Sequence, residues 1–151
     1  MSSTTEAGDI ATMLAERACE RLLNRYAYCQ DNGLPDEFAE LYARDAIWVR
    51  SIGPALEGRD AIRDAARQMF HKPGGRERLV HMLTNIIVTV DGDRARSTCC
   101  SLAYKGMAPE GRDGAPLTEM VGILTYEDEF RRDPEEGWRI SRHEARFLFG
   151  P

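Results

Sequence analysis

LVHMLTNIIVTV, Leu79 to Val90, then DGD, then RARSTCCSLAYK, Arg94 to Lys105, is the stretch on which the fold turns. Two β-prone runs flank Asp91-Gly92-Asp93, a glycine-centred turn of the kind that closes a tight hairpin. In the first run the even positions Val80, Met82, Thr84, Ile86, Val88 and Val90 are almost all apolar. The odd positions Leu79, His81, Leu83, Asn85, Ile87 and Thr89 are apolar too, with polar groups set among them. A sheet wetted on one face alternates apolar with polar. Here both faces ask for burial, so one is expected to cover helices and an internal cavity. The other is expected to meet further copies of the chain, a homo-oligomer built through the sheet face.

Working outward, a loop over Gly106 to Pro116 leads to a third long strand, Leu117 to Arg132. Asp133-Pro134-Glu135-Glu136-Gly137 then turns the chain into a last strand, Trp138 to Phe149. Upstream the period changes from two to three and four. Ile10, Met13, Leu14, Ala18, Leu22 and Tyr26 read as the apolar face of a helix capped by Asp9 and stopped at Asn32-Gly33. Leu34-Pro35-Asp36 restarts a short second helix with Phe38, Leu41 and Tyr42 on its apolar side. Asp45 to Arg50 is a short β-prone run. After Gly58, a third helix puts Ile62, Ala65, Ala66, Met69 and Phe70 on one face, and Lys72-Pro73-Gly74-Gly75 ends it. Three helices followed by an antiparallel meander is an α+β order, without βαβ alternation. The chain reads as a polar tail over residues 1–9 and a single domain over residues 10–151.

Of the 151 residues, 42% are hydrophobic and 30% charged, enough for one packed core and too apolar for a disordered chain. The net charge of -5, with no basic stripe, argues against nucleic acid as a partner. No apolar run approaches the roughly 20 residues needed to span a bilayer. The first nine residues lack the basic and apolar regions of a secretory signal. Cys19, Cys29, Cys99 and Cys100 form neither a CxxC pair nor a disulfide framework, so reduced thiols in a cytoplasmic protein are expected. With His71, His81 and His143 scattered, no metal site is expected. Motifs for phosphate cradles, dinucleotide folds, zinc proteases, nucleophile elbows and calcium loops are all missing.

The remaining chemistry is sparse. Asp31 falls at the end of the first helix, the negative end of its dipole, where Asp31-Asn32-Gly33 taken locally reads as a solvated turn. Tyr26 and Asp31 stand about 140° apart on an ideal helix, so they converge only where the helix unwinds. His81 sits in the middle of a strand expected to be buried, where an imidazole either satisfies a backbone group or lines a pocket as a proton carrier. His71 suits a helix end, and His143, among Ser141, Arg142 and Glu144, reads as a surface or edge residue. Trp48 and Tyr126 are strand aromatics, while Arg142 and Arg146 either anchor an anionic or carbonyl group or, as is more common, pair at the surface with Asp or Glu.

The order Tyr26, Asp31, His81 and Gly137-Trp138-Arg139-Ile140 resembles the SnoaL-like branch of the nuclear-transport-factor-two-like superfamily. Further support comes from Phe38 to Ala46, Gly58-Arg59-Asp60-Ala61-Ile62, His81 to Asn85, Val90 to Ala95 and Tyr126 to Arg131. The resemblance implies a cone-shaped α+β barrel, three helices packed on a strongly curved antiparallel sheet. It also implies an Asp on the first helix facing a His on the first long strand, as in scytalone dehydratase and bile-acid dehydratase. On that reading His81 is a general base, Asp31 orients and charge-stabilises it, and Tyr26 donates to a developing oxyanion. Trp48, Asn85, Tyr126 and Arg146 are the expected substrate contacts. The implied activity is a cofactor-independent dehydration or isomerisation of a hydrophobic cyclic small molecule; the alternative is a non-catalytic binding or assembly subunit of the same fold. The resemblance leaves dimer and trimer open and favours the trimer. The second pocket histidine of scytalone dehydratase has no counterpart in Ser97-Thr98-Cys99-Cys100-Ser101, which argues against a scytalone-type substrate.

Overall fold

A computed structural model describes residues 2–72, 75–108 and 117–150. In chain order these build α1 (Ser2–Asp31), α2 (Pro35–Ala39), β1 (Tyr42–Val49), β2 (Leu56–Glu57), α3 (Arg59–Met69), β3 (Glu77–Asp91), β4 (Arg94–Met107), β5 (Leu117–Asp133) and β6 (Gly137–Phe149). The expected loop over Gly106–Pro116 lies outside the described residues from 109 onward, as does the Pro73-Gly74 helix stop.

One six-stranded sheet runs in the order β2-β1-β6-β5-β4-β3. The expected hairpin closes with Asp91 opposite Arg94 and Gly92 in the left-handed conformation, φ 58°. The meander β3 to β6 is antiparallel throughout, whereas β1 joins β6 in parallel, so the sheet is not wholly antiparallel. The two-residue strand β2, pairing with β1, is too short to leave a period in the sequence.

Two bulges decide which side chains face inward. On β3, Thr84 pairs with Cys100 and Ile87 with Thr98, so β3 carries one extra residue there. Leu79, His81 and Leu83 point to the helix side before the bulge, and Ile86, Val88 and Val90 after it. The strict odd–even parity read from the sequence therefore switches in mid-strand. On β6, Phe130 pairs with Ile140 but Glu129 with Arg142, a second one-residue insertion. That shift turns His143 inward and leaves it fully buried, correcting its reading as a surface or edge residue.

The inner face of β4 is lined by the small residues Ala95, Ser97, Cys99, Ser101 and Ala103, all buried. Their short side chains leave room that rings from other elements fill: Tyr26, Phe38, Tyr42, Trp48, Tyr126 and Phe130. Tyr26 lies 5.0 Å from Phe38 and 5.7 Å from Tyr126 between ring centroids, and Phe38 lies 5.1 Å from Trp48. Helix α1 packs along β3, with Cys19, Leu23, Tyr26 and Cys29 buried. Helix α1 starts at Ser2, so residues 2–9 of the segment expected as a tail are helical. Ile10, Met13 and Leu14, expected on its buried face, are exposed at 52%, 65% and 67%. The sheet begins to cover the helix only near Ala15.

Candidate active site

Helix α1 ends in a Schellman motif. The Gly33 N–H donates to the Gln30 carbonyl at 3.3 Å and the Leu34 N–H to the Cys29 carbonyl at 2.9 Å, with Gly33 at φ 63°. Only glycine takes that conformation without a Cβ penalty, so Gly33 sets where the helix unwinds. Asp31, the last helical residue, faces β3 with its carboxylate on His81. Oδ1 of Asp31 lies 2.6 Å from Nδ1 of His81, and Oδ2 accepts the His81 backbone N–H at 2.9 Å. The two side chains are 16% and 10% exposed. Both carboxylate oxygens are thus spent on one residue, which fixes the imidazole plane. A carboxylate accepts from Nδ1–H, so this contact selects the tautomer that leaves Nε2 with its lone pair.

His81 forms part of the wall of a cavity of about 180 Å³ beneath the helix layer. Tyr26 from α1, Trp48 from β1, Tyr126 and Leu124 from β5 and Met69 from α3 supply most of its apolar surface. Gln30 and Arg50 add polar groups. Burial pushes the Tyr26 phenol well above its ordinary value, and Tyr126 and Asp128 raise it further. Tyr126 is raised as well, chiefly by burial. Both phenols are therefore held neutral. The expectations for Tyr26, Trp48 and Tyr126 thus fall on cavity-lining residues.

Two other expected contacts lie elsewhere. Asn85 sits at the β3 bulge with φ 55°, a conformation Asn tolerates, and the bulge leaves it exposed, away from the cavity. Arg146 lies on the opposite face of β6, 63% exposed, paired with Glu144 at 2.6 Å. Alternation from Ala145, a cavity residue, requires that placement. Arg142 likewise pairs with Glu144, which these two arginines hold below the ordinary carboxylate range.

Gln30, Arg50 and Met69 were not legible as site residues. Gln30 is one helical position before Asp31, a neighbourhood signal that was available, but nothing local distinguishes it from a solvated glutamine. Arg50 follows the short β1 run, and its position depends on how the 50–54 loop folds back. Its Nε and Nη2 donate to the Pro54 carbonyl at 3.3 and 3.1 Å, and its Cζ lies 5.9 Å from the Trp48 ring centroid.

A second aspartate–histidine pair lies behind the cavity wall. Nδ1 of His143 is 2.6 Å from Oδ1 of Asp128, both side chains are fully buried, and the Ser97 hydroxyl donates to Asp128 Oδ2 at 3.1 Å. The His143 ring is 4.4 Å from that of Tyr26 and 4.6 Å from that of Tyr126. Larger hollows of about 310 and 360 Å³ on the sheet, lined by Arg96, Glu129 and neighbouring strand residues, contain no histidine. Among the described residues no group of three His, Cys, Asp or Glu is placed to hold a metal ion, and no helix is long and apolar enough to cross a membrane.

The sequence profile of the SnoaL-like domain matches residues 11–144. An NTF2-like protein with a cystatin-like fold from Novosphingobium aromaticivorans is 26% identical, with a TM-score of 0.75 over 96% of this chain and 89% of that one. A proposed dehydratase of the NTF2-like family from Streptomyces avermitilis matches at 20% identity and a TM-score of 0.74, over 91% of this chain and 98% of its own. A proposed scytalone dehydratase from Novosphingobium aromaticivorans matches at 21% identity and a TM-score of 0.65, over 98% and 89%. At those last two identities the likeness carries the fold alone. Among curated protein sequences no relative matches significantly.

Proposed function

Starting from the membership of this chain in the SnoaL-like domain family, we propose that it is a cofactor-independent lyase or isomerase acting on a small cyclic molecule, with His81 as general base. One observation carries this reading: Asp31 grips both the Nδ1 and the backbone N–H of a histidine that borders an aromatic-lined cavity. An imidazole so held presents Nε2 in a single direction, the preorganisation that proton transfer needs.

The chemistry follows from the arrangement. His81 Nε2 takes a proton from carbon next to a carbonyl, and the electron pair moves to the carbonyl oxygen. The neutral Tyr26 phenol donates a hydrogen bond to that oxygen, while the Asp31 carboxylate stabilises the imidazolium. The imidazolium then returns its proton. Delivered to a departing hydroxyl it completes dehydration with loss of water; delivered to another carbon it completes an isomerisation. The free cysteines Cys19, Cys29, Cys99 and Cys100 support a reducing, cytoplasmic setting, and the apolar outer face of the sheet supports assembly with further copies.

Proton abstraction can be tested without the natural substrate. In deuterium oxide the wild-type protein is expected to catalyse exchange of the α-protons of cyclohexanone, a single-ring ketone, followed by proton NMR, and His81→Ala to lower that rate by about 10²-fold or more. Exchange that survives His81→Ala unchanged removes the base assignment. A wild-type protein that binds the ketone without exchanging it is a binding module.

A further inference from the structure

Among the described residues Arg50 is a charged group at the cavity without a charged partner. Its described contacts are all neutral: the Pro54 carbonyl, the Met69 sulfur at 3.0 Å from Nη1, and the Trp48 ring. Other arginines nearby are matched to carboxylates, Arg59 to Glu136 and Arg63 to Glu40 and Asp60. Arg50 is half-buried as a residue, its guanidinium hydrogen bonds are exposed, and the side chain is nonetheless held in place. Gly53 makes that possible, because at φ 95° it lacks the Cβ that would stand 2.8 Å from Arg50 Nη2. Met69 and Trp48, which contact this guanidinium, also border the cavity that His81 borders. A guanidinium presents a planar fork that matches a carboxylate with two parallel hydrogen bonds. The Nη1 contact to sulfur is a weak one that an oxygen anion would replace at a gain.

Cavity size narrows the ligand further. A dry cavity of about 150 Å³ accommodates benzene, so one of about 180 Å³ suits a single ring with a substituent. Gln30 contributes a second polar feature, since among the described residues its buried Oε1 has no hydrogen-bond partner and Gln30 borders the same cavity. We propose that Arg50 is the anion-recognition residue of the site and that the substrate is a single-ring carboxylate. Its carboxylate is held by Arg50 at one end of the cavity, which places its ring against His81, and Gln30 Oε1 accepts a hydrogen bond from a hydroxyl on that ring. The proposal rests on the assignment of this cavity as the active site and adds the substrate class to it.

Benzoate and its neutral isostere benzamide separate the charge term from ring burial. In NMR titrations at low salt, wild-type protein is expected to bind benzoate about tenfold or more tightly than benzamide. Arg50→Met is expected to bring the two within about twofold, and Arg50→Lys, which keeps charge but not the fork, to retain part of the preference. His81→Asn is expected to leave the preference intact. Equal binding of both probes to the wild type overturns the proposal, as does binding of neither. A preference that survives Arg50→Met and vanishes in His81→Asn also overturns it, placing the anion on the imidazole. Should Arg50→Met fail to fold, full preference in Arg50→Lys combined with loss in His81→Asn overturns it equally. An intact Arg50-dependent preference beside absent cyclohexanone exchange would reject the base chemistry and retain the anion site.

Discussion

His143 and His81 each place Nδ1 2.6 Å from an aspartate oxygen, and their surroundings give the two pairs different work. His81 forms a cavity wall, whereas His143 is sealed between the rings of Tyr26 and Tyr126, with Nε2 buried and unpartnered. A ring that reaches neither ligand nor solvent cannot relay a proton outward, so the Asp128–His143 pair holds the two tyrosine rings in place. Removing one member leaves the other polar and buried without its partner, a loss of about 3–5 kcal/mol. Replacing both with apolar groups of similar size removes the desolvation cost together with the contact. His143→Leu is therefore expected to destabilise by about 3 kcal/mol in urea unfolding, and adding Asp128→Val to recover most of that. A double variant as unstable as the sum of its two single variants would contradict this coupling.

At the scale of the elements, the hairpin around Gly92, the α+β order and the helix stop at Gly33 were all legible, because each rests on a local residue preference. What escaped depended on partners distant in the chain. The β3 bulge at Asn85 and the β6 bulge before His143 shift a register by one residue, and only the neighbouring strand defines that register. Hence Asn85 was expected inward and His143 outward. Asp31 and His81 were paired only through the family resemblance, since fifty residues separate them and Asp31 alone reads as a solvated turn. Arg59 shows the same limitation as a structural tie. Its side chain is buried at the start of α3, donates to the Tyr42 carbonyl at 2.7 Å and pairs with Glu136 in the β5–β6 turn at 2.6 Å. The hydrogen bond from Arg59 is the main cause that lowers Glu136 from 4.5 to about 2. A carboxyl lowered on folding contributes stability above its unfolded value, and loses it as the pH falls from about 4.5 through about 2. The melting temperature of Glu136→Gln is thus expected below that of the wild type at neutral pH, with the gap closing across that acid window. A gap that stays constant down to pH 2 would show that the carboxylate charge of Glu136 is not what ties these elements together.

For the whole molecule, the hydrophobic content divides between the inner core and the face turned away from it. Register places Met82 beside Leu102, Leu102 beside Ile123 and Ile123 beside Phe149, one apolar row across four strands. Val80, Tyr104 and Met120 form a second row next to it. Val80, Met82, Met120 and Phe149 are 47%, 48%, 48% and 67% exposed, a contiguous surface of the kind monomers seldom leave bare. Farther along the same face, Arg96 is opposite Glu129 and Glu129 opposite Arg142, alternating charges that further copies can match. We propose that copies associate through this face, and the family resemblance makes three copies the expected number. Light scattering should then report a mass near three times 17.0 kDa for the wild type. Met82→Glu combined with Met120→Glu should reduce it to a single chain, since both side chains are half-exposed in one copy and a charge there costs the isolated fold little. Arg21→Glu, an exposed change on α1, should leave the mass unaltered. A wild-type mass of 17.0 kDa, or an assembly that tolerates both glutamates, would mean that the apolar rows serve something other than contact between copies.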